Sequence, residues 1–245
     1  MKYFFLIILL CIFSCKESPK ALTAQEIIDN TIEVHCGGNC ENATMIFAFR
    51  GKSYKSIKNK GLYHYERIQR KGDTLIRDIL SNNGFQRFIN DSLFEIPNAI
   101  ATKYANSVNS VHYFAQLPYG LNAAAVKKVL FGESEIKGKL YYKIGVSFNE
   151  EGGGTDFEDK FVYWISKDDF SMDYLAYSYA VNGGGIRFRE AYNKRIVNGI
   201  TFLDYNNYKP DSLNIDLTDL DDLFIAKKLK LISKIELDNV QVHIN

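Results

Sequence analysis

Proline is scarce in this chain, with four residues in 245. Nothing reads as a proline-rich linker, and no low-complexity stretch or fixed-period repeat divides the sequence. No apolar run approaches the roughly 20 residues that a membrane-crossing helix needs. The N-terminal one, Tyr3–Phe13, stops well short. An excess of one charge is lacking too. The 30 basic and 29 acidic residues leave a net charge of +1, which removes the basic footprint on which nucleic-acid binding depends. Catalytic signatures are equally thin. Neither Gly-x-Ser-x-Gly nor His-Glu-x-x-His occurs, and His35, His64, His112 and His243 are scattered. Each histidine reads first as a structural residue. What the chain does have is rings, 16 tyrosines and 17 phenylalanines. They suit a half-buried pleated surface, so the first expectation is a large antiparallel sheet.

The N-terminus carries an address. Lys2 and the apolar run after it have the form of a secretory signal peptide. Ile12-Phe13-Ser14-Cys15 has the form of a bacterial lipobox, although Phe13 is bulkier than the usual residue at its place. Cys11 is the poorer candidate, because Leu10 precedes it and the apolar core would be very short. An ordinary signal peptide cut nearby is the competing reading. The expected organisation is a signal peptide over 1–14, a tether over 15–22 lipidated at Cys15, and one half-barrel-like domain over 23–245. Palmitate-type chains on Cys15 would anchor it, each buried methylene contributing about 0.8 kcal/mol. The expected location is the cell envelope, at the outer membrane, facing the periplasm or the surface. The membrane is the expected partner, reached through that lipid, and the protein is expected to be a monomer. Cleavage would remove one charge, Lys2, and leave 29 basic against 29 acidic residues.

Hydrophobic spacing orders the rest. Thr23 and Glu26 have capping-box spacing. Ile27, Ile28, Thr31 and Ile32 share one helical face, and Gly37-Gly38 offers a left-handed stop. These signals predict a helix over 24–35. Strand-like runs follow at 43–50, 62–70, 74–82, 84–90 and 92–97, separated by Asn, Gly and Asp in the manner of a meander. Ile100, Tyr104, Val108, Val111 and Phe114 recur at three to four residues, which predicts a helix ending before Pro118. NAAAVKKVLFG (122–132) predicts a second, short helix, capped by Asn122 and stopped by Gly132. Five runs then follow from residue 139, joined by links too short for a crossover helix, so neighbours should pair antiparallel. A short helix at about 217–228 and a strand-like tail close the chain. The expected fold is mainly β, of α+β type: a single curved antiparallel sheet or open half-barrel, with an N-terminal helix and helical segments in or over its hollow.

Two glycine runs, NEEGGGTDFEDKF (149–161) and AVNGGGIRFREAYN (180–193), invite comparison with phosphate loops. Such a loop needs a following helix whose amino end faces the anion. After the second run, Ile186, Phe188 and Tyr192 alternate with Arg187, Arg189 and Ala191, which is strand spacing. Both runs therefore read as wide hairpin turns, where glycine takes positive φ without penalty. In a meander, every second turn lies at the same end of the sheet. The two runs should share one rim, together with Asp156, Glu158, Asp159, Arg187 and Arg189. The arginines fall on one face of their strand. Two readings compete: a candidate polar site for ligand binding or acid–base work, and a cross-strand salt-bridge ladder on a wet face.

Cys36-Gly-Gly-Asn-Cys40, with His35 beside it, has three readings: a disulfide, half a zinc site, or a redox pair. No second Cys/His pair follows at finger spacing, and an exported chain favours the disulfide. No metal and no cofactor is called for.

SVNSVHYFAQLPYGLN, KFVYWIS, DYLAYSY, GGGIRFREAYN and VNGITFLDYNNYKP resemble the core signature of an uncharacterised lipoprotein family of flavobacteria and relatives, a domain of unknown function. The likeness runs from about 25 to 242. That family usually shows His-Gly-Gly after the first helix; here His35 is followed by Cys-Gly-Gly-Asn-Cys. The resemblance brings no catalytic residues. More loosely, the order of elements is similar to the lipoprotein-carrier and lipoprotein-sorting half-barrel, a likeness of architecture. Three functions follow as expectations. The first is a non-catalytic module that holds an acyl chain, lipid or lipoprotein segment against an aromatic concave face. Its candidate contacts are Tyr104, Val108, Val111, Tyr113 and Phe114, unless those residues are simply core. The second is a hydrolase-type enzyme acting on a polar substrate at the glycine rim. The third is a structural or surface-interaction lipoprotein without a small ligand.

Overall fold

The computed structural model describes residues 21–155 and 157–245. The expected signal peptide, Cys15 and Asp156 lie outside the described residues. Helix α1 (Ala24–Cys36) opens the fold. Its capping box is complete: Thr23 Oγ1 accepts from the Glu26 amide at 3.2 Å, and Glu26 Oε2 accepts from the Thr23 amide at 2.7 Å. The helix ends at Gly37 in the left-handed region, φ 52°. Cys36 and Cys40 are joined by a disulfide across this turn, with their Cα atoms 5.2 Å apart.

The first sheet follows, with β1 (Ala43–Phe49), β2 (Lys52–Asn59), β3 (Leu62–Lys71), β4 (Thr74–Ser81), β5 (Gly84–Ile89) and β6 (Ser92–Leu93) as a plain meander. Helix α2 (Asn98–Ala115) then leaves the sheet. The second sheet comprises β7 (Val126–Ile136), β8 (Lys139–Phe148), β9 (Lys160–Ser166), β10 (Met172–Tyr179), β11 (Gly185–Val197), β12 (Ile200–Lys209) and β13 (Lys230–Ile235). Between its last two strands lies a covering segment with helix α3 (Leu220–Ile225). The last strand, β14 (Asp238–Ile244), returns to pair with β1.

The fold is thus mainly antiparallel β, open and curved, with few helices. Its strands divide between two seven-stranded sheets instead of continuing through one. The division follows from α2, which carries the chain off the β6 edge, so that β7 starts a new edge. On the far side the sheets are joined, because β13 runs almost directly into β14. Buried Asp204 pins that crossing: its Oδ1 accepts from the Leu237 amide and from Arg195 Nη2, both at 3.0 Å. One further expectation is corrected. The helix over 122–132 is absent. Tyr119–Asn122 forms a short 3-10 turn, and Val126–Ile136 is an edge strand. The helix formers at 123–128 are overridden by pairing with β8 along the strand's length, and Gly132, at φ 121°, marks a register shift in that pairing, not a helix stop.

The second sheet is covered on both faces. Its inner face carries Ile144, Phe161, Tyr163, Leu175 and Tyr205 against Ile27 and Ile28 of α1. Its outer face carries Trp164, Tyr174 and Phe188 against Leu217, Leu220 and Phe224. Double cover explains why FVYWI, residues 161–165, is buried at every position, since alternation survives only where one face is wet. Helix α2 lies on the inner face of the first sheet. There the His112 ring stacks on Tyr65 at 4.5 Å, and Tyr104 lies parallel to Phe85 at 6.3 Å.

Candidate functional site: a hollow beneath helix α2

One face of α2 is fixed to the first sheet. Arg67 donates to Asp78 and to Ser107 Oγ at 2.7 Å each, Arg87 donates to Asp78 at 2.7 Å, and the Arg87 guanidinium lies 3.6 Å from the Tyr104 ring centroid. Val108 is fully buried. At the helix end, Tyr113 turns into the core, where its hydroxyl is 3.1 Å from that of Tyr163. Burial pushes the Tyr113 pKa up to about 12 and that of Tyr163 well above the ordinary value, so both remain neutral phenols.

Phe114, near the same end, rests on Tyr177 of the second sheet, with ring centroids 5.1 Å apart, but the middle of α2 stands clear of that sheet. Between them is an open hollow of about 950 Å³, walled by α2, β10, β11, β12 and β13. Such a volume lies at the upper end of the roughly 300–1,000 Å³ typical of ligand pockets. The hollow is graded. Strand directions place Tyr179 and Arg187 at the glycine rim. The Asn106 amide ties α2 to the same rim through Thr155 Oγ1 at 2.6 Å. Further in, the walls are Val111, Phe114, Leu203, Ile235 and Leu237.

Tyr177 and Arg187 are cross-strand partners, as are Leu175 and Arg189, which puts both arginines on the inner face. Arg187 donates to Tyr179 Oη at 2.6 Å and to the Ile186 carbonyl at 2.9 Å. Arg189 is only 7% exposed. Its Nη2 donates to Tyr177 Oη at 2.8 Å, and its guanidinium lies 4.0 Å from the Phe114 ring centroid. Its Nε and Nη1 are buried with no hydrogen-bond partner, and Oδ1 of its cross-strand neighbour Asn207 is likewise unpartnered. The charged residues lining the hollow are Arg50, Lys103, Arg187 and Arg189, with Asp159 as the only acid among the described residues.

The rim residues therefore separate. Asp159, Arg187 and Arg189 line one hollow, Glu158 is exposed outside it, and Asp156 lies outside the described residues. Among the described residues the arginines form no salt-bridge ladder; their partners are tyrosine hydroxyls. Of the apolar candidates, Val111 and Phe114 line the hollow, while Tyr104, Val108 and Tyr113 pack elsewhere. Reasoning from sequence missed the far wall, Leu203, Ile235 and Leu237. Leu203 and Ile235 had only alternation on strands whose covered face could not be known, and Leu237 lies in the link between β13 and β14. No cluster of metal-ligating side chains occurs among the described residues. A second recess of about 670 Å³ lies mainly over the outer face of the same sheet, against the segment carrying Asp216 and Thr218.

These features define a class: an open antiparallel β protein whose mid-chain helix roofs a hollow with a cationic rim and an apolar interior. The chain belongs to a Family of unknown function (DUF6503), whose match spans residues 2–239. No curated protein matches the sequence. Among solved structures it is similar to a LolA superfamily protein from Nitrosomonas europaea, at 12% identity, TM-score 0.49, covering 90% of this chain and 94% of that one. It is also similar to a putative outer membrane lipoprotein-sorting protein domain from Vibrio parahaemolyticus, at 8% identity, TM-score 0.44, covering 82% and 97%. A third is the Mycobacterium tuberculosis lipoprotein LppX, at 9% identity, TM-score 0.28, covering 64% and 87%.

Proposed function

We propose that this protein is an envelope lipoprotein, anchored through Cys15, that holds an apolar chain of a lipid or lipoprotein in the hollow beneath α2. The observation that carries the reading is the hollow itself. Val111 and Phe114 of α2 and Leu203, Ile235 and Leu237 opposite them line an open space of about 950 Å³, which Phe114 bridges only at Tyr177 and Arg189. Apolar surface left uncovered in this way favours burying an apolar ligand. The rim supplies a carboxylate and two arginines, but no histidine lines the hollow among the described residues, so binding is preferred to hydrolysis. A chain-length series of neutral 1-alkanols, displacing an environment-sensitive apolar dye from the purified protein, tests it. Each added methylene that enters the hollow contributes about 0.8 kcal/mol, or roughly fourfold in affinity. Affinity should climb at that rate and level off when the hollow is full. Absence of binding, or affinity indifferent to chain length, would leave a structural lipoprotein as the better reading.

A further inference from the structure

We infer that the ligand is an anionic amphiphile, whose acidic head group, a carboxylate or a phosphate, is seated on Arg189 with Arg187 beside it. The inference rests on the hollow being a binding site and adds what it selects. Three observations carry it. First, Arg189 is buried with two of its donor nitrogens, Nε and Nη1, lacking any hydrogen-bond partner. A guanidinium offers five donors in a fixed fork that matches carboxylate and phosphate oxygens. A buried charge left so incompletely paired costs stability, and an incoming anion relieves that cost. Second, the charged lining is unbalanced: Arg50, Lys103, Arg187 and Arg189 against Asp159. Third, the cations and the apolar wall are ordered in space. Arg187 stands at the glycine rim, Arg189 one pleat deeper, and Leu203, Ile235 and Leu237 beyond them. A head group on the arginines would direct its chain along that wall.

The Phe114 ring, now stacked on the Arg189 guanidinium, closes the approach to it. Head-group binding therefore requires the ring to turn aside, and the ligand's anion replaces a cation–π contact by charge-assisted hydrogen bonds. The unpartnered Asn207 Oδ1 beside Arg189 would accept from a hydroxyl or amide of the same head group. Glycine runs that looked like phosphate loops thus have another use. They turn the chain at the rim where Arg187 and Tyr179 stand.

The test compares three probes of one chain length, hexadecanoate, hexadecyl phosphate and hexadecanol, on the purified protein at pH 8. Both anions should bind the wild type roughly ten- to a hundredfold more tightly than the alcohol, the range expected for a charge-assisted hydrogen bond. Arg189→Met should remove that preference and leave alcohol binding in place, whereas Arg189→Lys should retain part of it. Preference for one anion distinguishes a fatty-acid head from a phospholipid head. Equal binding of acid and alcohol to the wild type overturns the inference while sparing the hollow as a binding site. So does an acid preference that survives in Arg189→Met. Failure of all three probes overturns both. If Arg189→Met does not fold, the comparison of probes on the wild type and on Arg189→Lys decides alone.

Discussion

Two histidines should make this protein acid-sensitive well above the range in which carboxylates titrate. His35 on α1 and His112 on α2 are 1% and 0% exposed. Burial lowers each pKa from 6.5 to about 4, helped by the charge of Lys194 at His35 and opposed by the Glu66 carbonyl at His112. Each ring has a nitrogen that accepts a hydrogen bond, and only a neutral ring can accept. Nε2 of His35 accepts from the Met172 amide at 3.1 Å. Nδ1 of His112 accepts from the Gln116 side-chain amide at 3.4 Å, while its Nε2 donates to the Glu66 carbonyl at 3.1 Å. Both folded pKa values lie below the unfolded one, so the unfolded chain takes up the protons first as pH falls. The stabilisation is whole above pH 6.5 and is lost progressively toward pH 4. Between pH 7 and pH 5 the loss is about 2 kcal/mol per histidine, about 4 kcal/mol together. With a urea m-value near 3 kcal/mol/M, the unfolding midpoint should fall by about 1.3 M. Lys58, which burial lowers to about 7, adds only a few tenths of a kcal/mol in this window. Asp169, where burial is outweighed by hydrogen bonds from Ser166 and Ser171 that hold its pKa down, acts below about pH 4. Urea melts at both pH values on the wild type, His35→Gln and His112→Gln provide the assay. Each variant should be weaker at pH 7 yet lose only about half as much on going to pH 5. A wild type indifferent to this change, or variants as acid-sensitive as the wild type, would refute the assignment of both rings as buried and neutral.

Removing the carboxylate of Asp78 by Asp78→Ala strands Arg67 and Arg87 beneath α2. Breaking a buried ion network by one partner costs about 3–5 kcal/mol, and circular dichroism melts should show a loss of that size. Replacing Cys36 and Cys40 by serine removes a short covalent loop worth about 2 kcal/mol. The thermal midpoint should fall by about 4–8 °C, which differential scanning calorimetry reads. Trp164, the only tryptophan, is fully buried on the outer face of the second sheet, where its indole donates to Asp221 at 3.0 Å. Filling the hollow on the opposite face should leave its emission maximum in place. A shift on ligand binding would put the ligand in the outer recess instead.

Much of the fold could be read where one face of an element is dry and the other wet. Helix α1 announces itself with a complete cap and a stripe of three isoleucines and Thr31, and α2 with apolar residues at helical spacing. Strand β2 left no such trace. Its inward residues are Tyr54, Ser56 and Lys58, two of them polar, and Ser56 is 0% and Lys58 5% exposed. The Lys58 ammonium finds its place 3.5 Å from the Tyr119 ring centroid, a contact made by a residue 61 positions further along the sequence. A period of two in burial was present, but hydrophobicity did not carry it. Strand β7 failed in the opposite way. As an edge it exposes Val129 and Phe131 to more than half of their area, so neither face was marked, and the helix propensity of Ala123 to Lys128 was the strongest local signal. Propensity decides only where packing is silent.

The rim shows where local reading ends. Alternation put Arg187 and Arg189 on one face of a strand, and the meander put both glycine turns at one end. Neither observation says what the face looks at. A ladder on a wet face needs carboxylates directly across from the arginines. The residues opposite them are Tyr177 and Leu175 on one side, with Asn207 across from Arg189 on the other. With no acid in register, the arginines turn inward and rest on rings. A guanidinium facing bulk water could satisfy its donors there, but Arg189 is roofed by Phe114, from a helix 75 residues earlier in the chain. Whether an arginine is a surface charge or an unfilled half of a binding contact is therefore decided by that helix. Phe114→Ala is the matching perturbation. It should expose the Arg189 guanidinium without altering its strand, and so speed the binding of a charged head group. Stopped-flow measurement of the hexadecanoate on-rate would show it. An unchanged on-rate would mean that the ring does not guard the arginine.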